Sequence, residues 1–192
     1  GLTSLALYQN YYYIITALFG FLTVIMQSII AGVGNSVASE TVSKNYSDFK
    51  KFNFIYIWIV SWCTTCLLGL YQPFMQIWVG TENMFGMGMV VLFGLYFFVH
   101  KWCDMLYVYQ EACGIWWETK FVPFIAAIVN LTVNIILVKT IGLPGILIST
   151  IVSVVFIYDT GYAKVLFKTY FESVDEGLKQ YWSRQILSLI HI

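Results

Sequence analysis

Charge is the scarcest commodity in this chain, and what there is of it is unevenly placed. No Asp, Glu, Lys or Arg occurs in Tyr11–Ser39, Phe52–Thr81, Asn83–Val99, Phe121–Val138 or Thr140–Tyr158. Charged residues make up 10% of the sequence, against about 25% in soluble domains, which excludes an ordinary water-soluble globule. Basic and acidic residues balance at 10 each, so no nucleic-acid surface and no nucleic-acid partner is expected. Cysteine is limited to Cys63, Cys66, Cys103 and Cys113. Cys63 and Cys66 have the spacing of a redox pair, but they lie in an apolar helix without strand–helix context and read as packing residues. The two histidines stand apart in sequence, which leaves no metal-ligand cluster and no expected cofactor. A Walker-type glycine loop is missing, which argues against ATP hydrolysis. The only serines near a histidine lie in the last residues, so nothing supports nucleophilic catalysis. A membrane-embedded transferase would need an acid–base pair at a membrane face, where only Glu111 and Glu118 stand. The expectation is not an enzyme.

What is present is length without charge. A run of about 18 or more apolar residues crosses the roughly 30 Å hydrocarbon core as a helix, and mean hydropathy is +0.76. The reading is all-α: a polytopic transmembrane helical bundle with helices near 11–39, 52–71, 84–108, 119–138 and 144–163. Residues 171–192 form a polar tail. Alternating crossings put Lys44, Lys50, Lys51, Lys101, Lys120, Lys164, Lys168, Lys179 and Arg184 on one side and only Lys139 on the other. The positive-inside rule makes the 40–51 loop, the 109–118 connection and the tail cytoplasmic. The first segment is too long, and lacks the basic leader, for a secretory signal. Gly1 is not an initiator and Gly1–Asn10 reads as the middle of a longer chain. Leu187–Ile192 fits neither helix nor tail and reads as a cloning or sequencing remnant.

Small or polar residues at Thr16, Gly20, Thr23, Gln27, Ala31, Gly34 and Ala38 share one face of the first helix. That face is either a tight packing seam or the border of a hydrated cavity, and Asn35 beside it is its most polar neighbour. The second helix is nearly featureless and is expected to end before Pro73, which lacks a donor and disfavours helix in the residue before it. In the third, His100, Lys101 and Asp104 come in quick succession, His100 roughly 24 Å past Met84 at 1.5 Å per residue. Asp104 can reach His100 or Lys101 along one face. Either these groups face a bundle interior, or Lys101 snorkels to the headgroups with Asp104 already at the interface. Asn130 and Asn134, one turn apart, project from one face toward other helices or a cavity. Gly145, Ser149 and Ser153 form a second small-residue seam, and Asp159 reads as a solvated helix end.

The order of local motifs goes further. Gly1-Leu2-Thr3-Ser4-Leu5-Ala6-Leu7-Tyr8-Gln9-Asn10-Tyr11-Tyr12 resembles the link between the seventh and eighth helices of bacterial polysaccharide flippases. These belong to the multidrug/oligosaccharidyl-lipid/polysaccharide exporter superfamily. Ala31-Gly32-Val33-Gly34-Asn35 followed by Glu40 resembles the end of the eighth helix, and Pro73-Phe74-Met75-Gln76-Ile77-Trp78-Val79-Gly80 is similar to the segment after the ninth. Gln110-Glu111-Ala112-Cys113-Gly114-Ile115-Trp116-Trp117-Glu118-Thr119-Lys120-Phe121-Val122-Pro123 looks like the link before the eleventh. Asn130 and Lys139-Thr140-Ile141-Gly142-Leu143-Pro144-Gly145 complete an ordered set over about 1–170.

The resemblance implies most of a C-terminal six-helix lobe with cytoplasmic termini, partnered by an N-terminal lobe of the same chain, in a bacterial cytoplasmic membrane. It implies export of lipid-linked oligosaccharide (undecaprenyl-pyrophosphate-linked repeat units) for cell-surface polysaccharide by alternating access, with the lipid bilayer, polysaccharide polymerase and glycosyltransferases as further partners. Lys101 and His100 would attract phosphate or acidic sugar, Asn35, Asn130 and Asn134 would bond sugar hydroxyls, and Asp104 would hold Lys101 or couple an ion gradient. Two departures stand out. Relatives often carry arginine where His100-Lys101 stands, and lysine lacks its bidentate fork. Ala126 or Ala127 replaces an acidic residue early in the eleventh helix. Rival readings are a drug–cation antiporter of the same superfamily and a membrane scaffold for envelope assembly without a transport cycle. The transport reading rests on one physical expectation: polar helix faces enclose a mildly cationic vestibule holding His100, Lys101, Asn130 and Asn134 together.

Overall fold

The computed structural model describes residues 2–174 and 177–190, with side chains over 4–174 and 177–185. Gly1, Asp175, Glu176, His191 and Ile192 lie outside the described residues, as do the expectations that fall on them. The described residues form helices and short connections, with no strand among them. They are α1 (Leu2–Ser39), α2 (Val42–Val79), α3 (Met87–Trp102), α4 (Asp104–Cys113), α5 (Trp116–Thr119), α6 (Phe121–Ile141), α7 (Pro144–Ser153), α8 (Thr160–Thr169) and α9 (Leu178–Ile190). A wider π-helical turn, Val154–Asp159, joins α7 to α8. Five continuous stretches are long and apolar enough to cross a bilayer. Their outer faces carry bare Phe54, Trp58, Trp62, Phe124, Ile128 and Leu131, a surface that water would not tolerate and lipid would. This is a multi-pass membrane protein with an all-α bundle.

The helices outrun the expected spans, for a local reason at the start of α2 and a tertiary one near its end. In α2, Thr41 caps the first turn by accepting from the Lys44 backbone N–H, so the 40–51 segment is mostly helix and not loop. The 38 residues of α2 extend about 57 Å at 1.5 Å per residue, nearly twice the hydrocarbon thickness, and the lysine-rich turns project beyond it. Helix also continues straight through Pro73, contrary to the expected stop. The reason is tertiary. Next to the proline, Gln72 accepts from the Tyr11 hydroxyl at 2.9 Å and donates to the Phe85 carbonyl at 2.7 Å. Tyr11 in turn accepts from the Phe85 N–H at 3.1 Å, and the Tyr71 hydroxyl donates to the Tyr11 carbonyl. This polar knot ties α1, α2 and the loop before α3 at the lysine-poor end, and such neighbours let a membrane helix carry proline.

At the lysine-rich end an aromatic cluster of Tyr46, Phe49, Tyr109, Phe167, Phe171 and Tyr181 packs ring on ring. Asn45, fully buried, bridges the α1–α2 turn: it accepts from the Ser36 hydroxyl at 2.7 Å and donates to the Ser36 carbonyl at 3.1 Å. The expected connection at 109–118 is shorter than the charge pattern implies, since α4 runs to Cys113 and ends on Gly114 at φ 67°. That left-handed backbone suits glycine. The helix α9 also runs through Leu187–Ile190, where the sequence suggested none.

The two small-residue seams behave differently. Gly145, Ser149 and Ser153 are all buried, and a Cβ on Gly145 would sit 2.7 Å from the Leu137 backbone carbon. That seam is the tight crossing of α6 with α7. On α1 the packing face is a different stripe, Tyr8, Tyr11, Ile15, Leu22, Met26 and Val33. The small face is open, with nothing within 4 Å of a Cβ at Gly20 or Gly34. The first-helix seam therefore does not pack against the described residues of this chain.

Candidate functional site

Lys101 and Asp104 straddle the break between α3 and α4 at Cys103. The span Met87–Cys113 has 27 residues, which puts Lys101 about 21 Å from its start at 1.5 Å per residue. That is the interior, not the headgroup level. Lys101 is 7% exposed, so the snorkelling alternative fails. Its ammonium donates to Asp104 Oδ2 at 2.8 Å and lies 5.0 Å from the centre of the Phe19 ring. The same Oδ2 accepts from the Tyr56 hydroxyl of α2 at 2.5 Å. A charge this deep needs a partner, and the three side chains supply it from three helices.

Lys101 and Asp104 face a cavity of about 370 Å³ lined by Phe19 and Thr23 of α1, His100 and Lys101 of α3, Cys103 at the break, Asp104 and Tyr107 of α4, and Val154 and Tyr158 of the π-turn. The His100 ring lies against Tyr96 at 4.7 Å and Phe19 at 5.5 Å between centres. Its Nε2 is buried without a hydrogen-bond partner. Thr23 is the one member of the α1 small face that reaches the hollow.

The remaining expected ligands are elsewhere. Asn130 donates to the Thr150 hydroxyl at 3.1 Å and the Ser153 hydroxyl at 3.3 Å, so its amide serves the α6–α7 contact. Asn134, a turn along, is half-buried on the same helix and does not line the cavity. Asn35 is exposed near the end of α1, well away from it. The single vestibule expected for His100, Lys101, Asn130 and Asn134 is thus corrected to a smaller one that takes in His100 and Lys101 and neither asparagine. The cause is the direction of α6, whose polar face turns onto α7 instead of toward α3. The hollow is also less cationic than expected, because Asp104 neutralises Lys101.

No family model, curated protein or solved structure matches this chain. Its function rests on its own residues.

Two contributors escaped the sequence. Tyr56 is one tyrosine in an apolar helix, and nothing local marks it as the partner of Asp104, 48 positions away. Asp159, read as a solvated helix end, is 2% exposed. Ten more helical residues follow it in α8, about 15 Å of chain, and α9 packs beyond them. What the arrangement can do chemically is exchange one anion for another at a buried ammonium. An incoming phosphate or carboxylate could take the place of Asp104, while Tyr56 retains the displaced carboxylate.

Proposed function

We propose that this chain belongs to a transporter that moves lipid-linked oligosaccharide across a bacterial cytoplasmic membrane for cell-surface polysaccharide synthesis. The observation that carries the reading is the buried Lys101 ammonium at the wall of a hollow of about 370 Å³, within a stretch long and apolar enough to span a membrane. Buried cations inside membranes mark ion and substrate paths, and the diphosphate of a polyprenyl carrier is the complementary anion. Lys101, with His100 beside it, binds that anion. Asp104 holds Lys101 between cycles and releases it to the substrate. The open small-residue face of α1 fits a moving contact with a second lobe, in keeping with alternating access. The lysine-rich end then faces the cytoplasm. The likeness of the ordered motifs to polysaccharide flippases supports the same reading.

Replacing Lys101 with alanine in the full-length protein should abolish polymer export while membrane insertion persists. Unchanged export removes Lys101 from the site and the reading with it.

One observation favours a second reading. Asp104 and Asp159 are both carboxylates held inside the bundle, more than the sequence led us to expect, and a drug–cation antiporter would use them. Binding assays separate the two. An amphiphilic cation such as ethidium quenching in the purified protein, with no response to polyprenyl diphosphate, would favour the antiporter.

A further inference from the structure

The geometry points to a proton-binding site at Asp159, separated from the Lys101 pocket by the single side chain of Cys103. The placement of the proton site stands alone, and only its use in transport rests on the reading above.

Asp159 closes the π-turn Val154–Asp159. Such wider turns inside helices recur at functional positions because they displace one residue from the regular ladder. Here the displacement points Val154 and Tyr158 at the Lys101 hollow and puts Asp159 into the protein interior at 2% exposure. Its Oδ1 is buried with no hydrogen-bond partner. Among the described residues no Lys, Arg or His forms an ion pair with it, in contrast to Asp104 with Lys101. Among the described residues, two titratable groups face it. The Cys103 thiol lies against the carboxyl, while directing its hydrogen toward the Val99 carbonyl at 3.9 Å. Tyr181 approaches from α9, and burial first, then the nearby Asp159, pushes its phenol well above the ordinary range. Tyr181 therefore stays neutral and offers no countercharge.

A carboxylate away from water with no cation beside it is costly, and taking up a proton removes the charge. No cluster of three or more His, Cys, Asp or Glu side chains that could hold a metal ion occurs among the described residues. The proton comes from water and returns to water, and the O–H bond on the carboxyl is the only one made or broken. Cys103 belongs to the walls of both sites. Charging or neutralising Asp159 therefore acts on the α3–α4 break, where Lys101 and Asp104 meet, across one side chain.

Infrared difference spectroscopy of the full chain in lipid nanodiscs, titrated without ligand, tests the site. A protonated-carboxyl band should appear and titrate, vanish in Asp159→Asn, and persist in Lys101→Ala. A band unchanged by Asp159→Asn overturns the assignment. Should Asp159→Asn fail to insert, Cys103→Ala serves: it should shift the band frequency, and an unshifted band overturns the proposal equally. For the coupling role, proteoliposomes under an imposed pH gradient are loaded with a fluorescent polyprenyl diphosphate. Asp159→Asn should reduce gradient-driven leaflet asymmetry by about tenfold or more, with partial rescue by Asp159→Glu. Undiminished asymmetry overturns the coupling. If Lys101→Ala leaves transport intact while the band is present, the pocket reading fails and the proton site stands.

Discussion

The Tyr56 hydroxyl donates to Asp104 Oδ2 at 2.5 Å, joining α2 to the first residue of α4 across 48 positions of sequence. Because the same oxygen also takes the Lys101 ammonium, Tyr56 sets where the carboxylate sits and hence where the ammonium is held. Removing the hydroxyl leaves Asp104 with one donor fewer in a low-dielectric interior. Tyr56→Phe should lower stability by about 1.5–3 kcal/mol, the range for a hydrogen bond to a charged group. Thermal unfolding in detergent measures it, and an unchanged midpoint would mean that the bond contributes nothing.

The Lys101–Asp104 pair makes a sharper prediction. Either Lys101→Met or Asp104→Leu alone strands a charge, at about 3–5 kcal/mol for a buried pair. Asp104 keeps about 20% side-chain exposure, so the low end is expected. The double substitution should recover most of the loss, since two apolar side chains leave nothing unpaired. Strict additivity of the single effects would show that the pair is not coupled.

Asn130 separates structure from function. If its amide only binds α6 to α7, Asn130→Leu should cost about 0.6–2 kcal/mol, the range for hydrogen bonds between membrane helices. Export should then persist wherever the protein still folds. Full stability with lost export would instead return Asn130 to the substrate path, as the family resemblance implied.

The glycines offer a paired test. Gly145→Ala puts a methyl 2.7 Å from the Leu137 backbone, which cannot move aside, and overpacking of this kind costs about 1–3 kcal/mol. Gly20→Ala meets nothing within 4 Å and should leave folding of this chain unaltered, or improve it slightly through helix propensity. A transport defect in Gly20→Ala with normal stability would show that the open face of α1 works against something outside this bundle.

Hydrophobic run length and the positions of lysines were enough to read the all-α membrane bundle and its five spans, because crossing a bilayer is a one-dimensional requirement on composition. Proximity of Lys101 and Asp104 was legible for the same reason, since i to i+3 spacing on a helix needs no knowledge of the rest. The Gly145–Ser149–Ser153 seam was another local pattern that survived folding. Only the tertiary structure decided which polar faces meet. It turned Asn130 onto α7, left the small face of α1 bare, carried helix through Pro73 by means of Tyr11 and Gln72, and buried Asp159 beneath α8 and α9. Those outcomes depend on the rotation of each helix about its own axis. In lipid that rotation is chosen by packing against neighbours distant in sequence, and not by any periodicity within the helix itself.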